Sequence, residues 1–302
     1  MSVTEARPAN YDRIVGAEGW QFISRIDGID EKNAAAIRLS EAELVHWART
    51  LEFRAAWCAR RGAAYHFMVA PNKASVYGEF LPPGLAPSPD RDLCALTRHL
   101  AANSDAVLLD PRPALLDEKP KRDVYFRGDE HWNSIGAFIA YTQLMREVTK
   151  TVAAPILAEA ELKATEKPFM GGLEALAESP EPERIKGLAI KQARSKEIFV
   201  NKRDGRGKVQ VFAHEDASLP RAVVLRDSFG SFMLPFLIES FSRVVVVSSR
   251  AVLLDLVRSE KPDVVIHELC ERYLDAVPDD IRAKPFRTMC DIDAADLPAR
   301  AG

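Results

Sequence analysis

Two kinds of apolar pattern alternate along most of the chain. From position 44 to 55, apolar residues recur every three or four positions, which predicts a helix that Ser40 caps and that ends near Arg61 and Gly62. Further patterns predict strands at 64–69, 106–109, 222–225, 243–247 and 263–266, and helices at about 90–102, 136–151, 229–240 and 250–259. Strands that alternate with helices in this way predict an α/β/α sandwich with a mostly parallel sheet.

The stretch from about 153 to 219 breaks this alternation. It is rich in Pro, Glu and Lys, and we interpret it as a peripheral insertion with a hairpin near Lys208 to Phe212. The chain has 302 residues, of which 47% are hydrophobic, and this is enough for one large core. We therefore expect one catalytic domain over residues 1–302.

Candidate chemistry lies in two short polar segments. Ser228 follows the apolar run 222–225 and precedes a helical pattern, so it is expected at a strand-to-helix turn on the carboxyl edge of the sheet. A serine nucleophile needs a neighbouring base and a carboxylate that orients this base. Asp129 and His131 are two positions apart in a loop, where their side chains point the same way. The sequence thus predicts a Ser-His-Asp relay.

Each of these residues also has a structural interpretation. Asp227 and Ser228 are typical of a helix N-cap, and His131 can be a loop histidine bonded to a backbone carbonyl. The polar surroundings of His131 favour function. The remaining histidines show no partner pattern and are interpreted as structural or solvated: His46, His66, His99, His214 and His267. His267 is the exception to watch, because it ends a predicted strand near the site.

Composition excludes several other classes of protein. The net charge is −3 and no basic cluster alternates with aromatic residues, so nucleic-acid binding is not expected. The four cysteines lack metal-site spacing, and neither a metal, a cofactor nor a disulfide framework is expected. The N-terminus has no apolar signal region, and no run approaches the ~20 apolar residues of a spanning helix. As written, the sequence predicts a cytoplasmic protein without a transmembrane segment.

Five segments, in this order along the chain, match the pattern of a known family: Gly19 to Phe22, Val69 to Tyr77, Asp129 to Asn133, Leu225 to Leu237, and Lys261 to Ile266 leading into Glu271 to Leu274. In them the chain resembles the SGNH-hydrolase-like domain of bacterial alginate O-acetyltransferases, and the resemblance spans most of the chain. It implies that Asp129, His131 and Ser228 form a triad that takes an acetyl group as a serine ester and passes it to a sugar hydroxyl. The acid and base precede the nucleophile here, whereas ordinary SGNH hydrolases have the reverse order.

The resemblance also bears on partners and location. Alginate acetyltransferases are exported to the periplasm, which conflicts with the cytoplasmic interpretation, and the choice between the two stays open. An exported setting implies that a membrane-bound O-acyltransferase delivers the acetyl group. The sequence leaves no room for the carbohydrate-binding module that some members carry. The acceptor glycan would then bind the core groove or a partner.

Further site residues are expected from position and resemblance. The Phe229 amide and the Asn72 side chain can donate to a developing oxyanion, with Lys73 beside Asn72 in the same loop, although Asn72 is equally a turn residue. Arg226 can pair with Asp227 or with a substrate carboxylate. For the acceptor groove the candidates are Arg272, Tyr273 and Trp132. Alternatively, Arg272 forms a surface ion pair and Trp132 packs beneath the His131 loop.

Three functions remain open on the sequence alone. The leading hypothesis is a glycan O-acetyltransferase. An acetyl or carbohydrate esterase would use the same three residues, since only water exclusion and acceptor binding separate the two activities. The third hypothesis is a noncatalytic glycan-binding or scaffold protein.

Overall fold

A seven-stranded sheet forms the centre of the protein. The computed structural model describes residues 13–23, 38–85, 87–88 and 90–298. The sheet runs in the order β4, β3, β11, β9, β10, β8, β7, whose bounds are Leu108–Leu109, Ala64–Ala70, Val264–Cys270, Arg221–Arg226, Arg243–Ser248, Val209–His214 and Ser195–Val200. The first five of these strands are parallel, and β8 and β7 continue the sheet antiparallel at one edge. The predicted, mostly parallel sheet is confirmed.

Helices cover both faces of this sheet. On one face lie α4 (Ser134–Val148) and α5 (Gly230–Leu237). On the other lie α1, α2, α6 and α7, which span Glu41–Ala59, Asp92–Asn103, Leu254–Glu260 and Phe286–Cys290. The central strands are apolar on both faces, as Val224 packs in one core and Val223 in the opposite one. The three-layer α/β/α sandwich predicted from the sequence is therefore confirmed.

Local sequence signals account for the ends of the first helix. Ser40 caps α1, with its hydroxyl accepting a hydrogen bond from the Glu43 amide at 3.3 Å while the Glu43 carboxylate accepts from the Ser40 amide at 2.7 Å. Beyond the helix, Gly62 adopts a positive φ of 75°. The buried indole of Trp47 donates to the Leu274 carbonyl at 2.8 Å and ties α1 to the segment after β11.

Two predicted elements differ in extent from the structure. The strand expected at 106–109 is reduced to Leu108–Leu109, which pairs with β3. The helix expected at 250–259 begins only at Leu254. The reason is a long-range contact, because the Val252 amide donates to the buried carboxylate of Asp280 at 2.8 Å instead of entering a helix.

The stretch from 153 to 219 forms two hairpins. Strands β5 (Leu162–Phe169) and β6 (Glu183–Ile190) pair as a separate two-stranded sheet. The hairpin expected near Lys208 corresponds to β7 and β8, which extend the central sheet, and the side chains of Val209 and Val211 are fully buried in the core. The remaining elements are the short hairpin β1–β2 and helix α3, with bounds Arg13–Val15, Gln21–Ile23 and Arg112–Glu118.

None of the helices in the described residues combines the length and the apolar composition that crossing a membrane requires. The N-terminal residues on which the expectation about export rests lie outside the described residues.

A buried ion pair lies on the face of the sheet opposite α4 and α5. Arg54 donates to both carboxylate oxygens of Asp280, at 2.6 and 2.9 Å, and both side chains are almost fully buried. We expect Arg54→Met to lower the free energy of unfolding by about 3–5 kcal/mol in urea denaturation, because it leaves a buried carboxylate unpaired. The control Arg184→Met removes an exposed pair with Glu166 and should cost under about 1 kcal/mol. Equal losses in the two variants would contradict this assignment.

Candidate active site

Two loops meet at the carboxyl edge of the sheet. One loop connects α3 to α4, and it is closed by a β-bridge between Tyr125 and Trp132 and by Asn133, whose side chain accepts hydrogen bonds from two amides of the first turn of α4. The other is the short turn between β9 and α5, where Ser228 is exposed between buried neighbours. The turn places the serine hydroxyl at the mouth of the site.

The structure brings Asp129, His131 and Ser228 into one hydrogen-bonded line. The Ser228 hydroxyl lies 2.8 Å from Nε2 of His131, and Nδ1 of His131 lies 2.6 Å from Oδ1 of Asp129. The same carboxylate oxygen accepts the backbone N–H of His131 at 3.0 Å, which fixes the loop between the two residues. With a proton on Nδ1, Nε2 is the acceptor for the serine hydroxyl, as a base for this serine requires.

Electrostatics favour an ionised carboxylate and a basic imidazole. Burial alone would raise the pKa of Asp129, but hydrogen bonds from His131 and from the Gly172 amide, together with the charge of His131, hold this pKa well below its ordinary value. Burial alone would lower the pKa of His131, but the hydrogen bond to Asp129 and the negative charges of Asp129 and Glu130 outweigh it and raise this pKa. The pair thus stabilises an imidazolium once His131 accepts a proton.

A support for Asp129 that the sequence analysis missed comes from the loop between β5 and β6. The Gly172 amide donates to Oδ2 of Asp129 at 2.6 Å, and the amides of Leu173 and Glu174 donate to the Gly128 carbonyl at 3.0 and 2.9 Å. A Cβ at Gly171 would lie 2.1 Å from the Gly128 carbonyl oxygen, so only glycine fits. The Gly-Gly pair was visible in the sequence, but nothing there linked it to Asp129.

Lys73 lies beneath the loop of Asp129 and does not reach the groove. Its ammonium is buried and donates to the backbone carbonyls of Gln21, Arg127 and Asp129 at 2.7, 2.6 and 3.0 Å. Burial lowers the pKa of Lys73 to about 7, against the opposing charge of Asp129. This side chain ties strand β2 to the loop, and its predicted place in substrate binding is not supported by its position.

The two expected oxyanion donors differ in availability. The Phe229 amide donates to Oδ1 of Asp227 at 2.9 Å, so this N–H is already engaged. Oδ1 of Asn72 accepts a hydrogen bond from the Cys270 thiol at 3.1 Å. Nδ2 of Asn72 donates no hydrogen bond to another of the described residues. The backbone N–H of Ser228 likewise donates no hydrogen bond to another of the described residues. The Asn72 Nδ2 and the Ser228 amide are therefore the two donors that another described residue does not already engage.

A pair of buried carboxyl groups shapes the turn under Ser228. Oδ2 of Asp227 accepts the Cys270 amide at 2.6 Å, and Oε2 of Glu268 accepts the amides of Asp227 and Gly230 at 3.3 and 3.1 Å. Burial and the neighbouring charge of Asp227 raise the pKa of Glu268 well above its ordinary value. Asp227 holds the turn before α5 through the Phe229 and Cys270 amides. The N-cap residue of this helix is Phe229, so the capping role weighed for Asp227 and Ser228 is not the one they have.

The remaining candidates are arranged around this turn. Trp132 is fully buried, and its indole donates to the Phe229 carbonyl at 2.9 Å, so it packs beneath the loop. Arg226 is also buried and donates to the Asp227 carbonyl at 3.0 Å. Arg272 places its guanidinium 5.6 Å from the Phe229 ring centre, and Tyr273 stacks 3.5 Å beneath the guanidinium of exposed Arg250. The guanidinium groups of Arg250 and Arg272 thus lie beside this turn and form no part of the hydrogen-bonded line of Asp129, His131 and Ser228.

His267 lies away from these loops. It packs on the opposite face of the sheet, with Nδ1 3.2 Å from the Arg54 guanidinium and 3.1 Å from the Tyr65 hydroxyl. Burial and the charge of Arg54 lower the pKa of His267 well below its ordinary value. It is therefore a neutral core histidine.

One carboxylate-rich cluster within the described residues has the composition of a cation site. Ligand atoms of Asp129, Glu130 and His131 lie within 4.8 Å of one another. However, Oδ1 of Asp129 and Nδ1 of His131 are already joined by a hydrogen bond of 2.6 Å. The cluster fits a proton relay better than a set of metal ligands.

The fold and the site define an SGNH-hydrolase-like protein. The sequence profile described as "SGNH hydrolase-like domain, acetyltransferase AlgX" matches residues 14–251, and the chain belongs to this family of acetyltransferase domains. A search of curated proteins finds no match.

Solved structures agree on the fold. PatB1 of Bacillus cereus is 15% identical with a TM-score of 0.60, and the match covers 91% of this chain and 100% of that one. The O-acetyltransferase domain of Pseudomonas putida AlgJ is 18% identical with a TM-score of 0.54, covering 91% and 96%. Pseudomonas aeruginosa AlgX is 17% identical with a TM-score of 0.53, and the match covers 92% of this chain and 65% of that one. At these identities the likeness is one of fold.

The raised pKa of His131 predicts the acid limb of the pH profile. The base must be neutral to accept a proton, so the rate of ester cleavage should rise with pH, with a midpoint above 6.5, the ordinary value for histidine. Asp129→Asn removes the charge that raises this pKa, so the midpoint should move to lower pH and the rate should fall by about 10³–10⁴-fold. A p-nitrophenyl acetate assay across pH 5–9 measures both effects. An unshifted midpoint in Asp129→Asn would exclude this coupling.

Lys73→Met tests the support beneath the loop. It removes a donor from the carbonyls of Gln21, Arg127 and Asp129, of which that of Arg127 keeps the Gln21 amide, so we expect a loss of about 2–4 kcal/mol in the free energy of unfolding. At a temperature where the variant stays folded, kcat should fall more than KM changes, because the loop that carries Asp129 loosens. The control is Lys163→Met, an exposed lysine on β5. A Lys73→Met protein with both native stability and native kcat would contradict the assignment.

Proposed function

We propose that this protein is an O-acetyltransferase that carries an acetyl group on Ser228 and transfers it to a hydroxyl of a glycan. The observation that supports this most strongly is the unbroken line of hydrogen bonds from Asp129 through His131 to the exposed hydroxyl of Ser228. Membership in a family of acetyltransferase domains favours acetyl transfer over other acyl chemistry.

In the first step, Nε2 of His131 takes the hydroxyl proton of Ser228 while Oγ attacks the carbonyl carbon of the acetyl donor. The negative charge that develops on the carbonyl oxygen is stabilised by the Ser228 amide and by the Asn72 side chain, since the Phe229 amide is bound to Asp227. The bond to the leaving group then breaks, and the leaving oxygen receives the proton from His131. The product is an acetyl ester on Ser228.

In the second step, an acceptor hydroxyl approaches the same carbonyl carbon from the side of His131. His131 removes its proton, the acceptor oxygen forms a bond to the acetyl carbon, and the bond to Oγ of Ser228 breaks. Ser228 recovers the proton through His131. The exposed guanidinium of Arg250 over Tyr273, and Arg272 beside it, would attract an acidic glycan such as an alginate-like polyuronate.

An acetyl or carbohydrate esterase is the alternative function. Ser228 is exposed, so water can reach its acetyl ester and compete with the glycan for the same base. The ratio of transferred to hydrolysed acetyl groups in the presence of oligosaccharides separates the two activities. A membrane-bound O-acyltransferase as the source of the acetyl group belongs to the same proposal, and purification of the two proteins together from a membrane extract would test it.

Mass spectrometry of the intact protein tests the central step. After incubation with p-nitrophenyl acetate, we expect an added acetyl group on the wild type that maps to Ser228 and that disappears when a uronate oligosaccharide is added, with acetylated oligosaccharide as the product. Ser228→Ala should form no acetyl ester, and turnover should fall by at least about 10⁴-fold.

The matched control is Ser218→Ala, an exposed serine that precedes β9 at the opposite edge of the sheet. It should keep full activity. Turnover that does not depend on Ser228 would overturn the proposal, and release of free acetate alone with every acceptor tested would assign the protein to the esterases.

A further inference from the structure

An apolar cavity of about 490 Å³ lies between the β5–β6 hairpin and helix α5. On β5 every second residue from Thr165 to Phe169 lines it, and on β6 the lining includes Ile185 and the consecutive residues 187–190. Its size is in the range of small-molecule sites. The lining is mainly apolar and is formed largely by Ile185, Gly187 and Ala189 of β6 and by Phe232, Pro235 and Phe236 of α5.

The cavity lies beside the chain that follows the serine. On this side its lining residues run from Ser231, three residues beyond Ser228, to Glu239, just past the end of α5. Eight residue steps along a helix rise by ~12 Å, so a linear apolar group laid along α5 would contact lining residues at both ends of this range.

The near end of the cavity adjoins His131. The ring of Phe232 lies 5.2 Å from the imidazole of His131 and 5.3 Å from the ring of Phe126, centre to centre, and both phenylalanines line the cavity. A general base must lie within hydrogen-bond reach of the oxygen whose proton it takes. The alcohol that accepts the acetyl group is therefore on the side of His131, and the cavity continues from that position.

We propose that this cavity binds the apolar part of the acceptor, and that the acceptor is an amphipathic alcohol, a sugar unit joined to a linear alkyl chain. The inference rests on the proposed function and specifies, among all glycan acceptors, those whose sugar carries a linear alkyl chain; a polyuronate without such a chain would use the hydroxyl site but not the cavity. The sugar hydroxyl lies at His131 and the chain passes Phe232 into the cavity. The acetyl carbon exchanges its bond to Oγ of Ser228 for a bond to the sugar oxygen, and the hydroxyl proton passes through His131 to Ser228.

Two acceptors that differ only in their alkyl group test this proposal. With p-nitrophenyl acetate as donor, octyl glucoside below its micelle concentration should be acetylated with a kcat/KM at least about tenfold above that of methyl glucoside. Mass spectrometry of the acetylated glucosides gives both rates. In Ala189→Phe, which fills the cavity, this ratio should fall to near one. Equal rates for the two glucosides in the wild type would overturn the proposal.

The matched control is Ala164→Phe, the same change on the same hairpin. Thr165 and Lys167 of β5 line the cavity, whereas Ala164 does not line it and is exposed. The ratio should remain at its wild-type value. If Ala189→Phe instead reduces turnover of p-nitrophenyl octanoate relative to the acetate and leaves the glucoside ratio intact, the cavity binds an acyl chain and the proposal is wrong.

Binding without turnover separates this inference from the proposed function. Titration calorimetry on Ser228→Ala should show octyl glucoside binding at least about tenfold more tightly than methyl glucoside, and the added Ala189→Phe change should abolish the difference. If no acetyl ester forms on Ser228 but this preference remains, the proposed function fails and the cavity site stands. If the ester forms and the preference is absent, the proposed function stands and the cavity proposal is wrong.

Discussion

The site depends on one buried carboxylate that must stay ionised and fixed. Asp129 is almost fully enclosed, and such a group would take up a proton unless donors replaced the water that it has lost. His131 supplies two of these donors and Gly172 a third. Two of these donors are backbone N–H groups, and the third is Nδ1 of the His131 ring. Asp129 stays ionised only while these donors are in place, and their hydrogen bonds to its charged carboxylate hold the surrounding loops in position.

The need to hold the Asp129 carboxylate gives the β5–β6 hairpin a role at the site, although this hairpin lies outside the central sheet. The β5–β6 hairpin carries the Gly-Gly pair against the Asp129 loop on one side, and it forms a wall of the apolar cavity beside α5 on the other. One element thus contacts both the relay and the cavity. A change in this hairpin that alters the cavity must leave its contacts with Gly128 and Asp129 in place if the relay is to keep its support.

Much of the fold and the centre of the site could be predicted from local signals. Strands β9 and β10 are apolar on both faces, and a serine between such a strand and a helix, with an Asp-x-His pair upstream, has few other arrangements. The roles that escaped prediction depend on contacts distant in sequence. Lys73 follows a strand like a groove residue, yet its ammonium points inward to backbone carbonyls, and the Phe229 amide is used by Asp227. A local sequence pattern does not indicate which distant acceptor a buried donor will bind.

The hydrogen bonds that assemble the site join residues far apart in the chain. Lys73 contacts the backbone of Asp129, Gly172 contacts the Asp129 carboxylate, and Ser228 contacts His131, with sequence separations of 56, 43 and 97 residues. Loops of this length must close before any of these contacts forms, and such closure is slow compared with helix formation. During refolding, activity should return only after the helical signal has recovered, because a partly folded chain has helices but no relay.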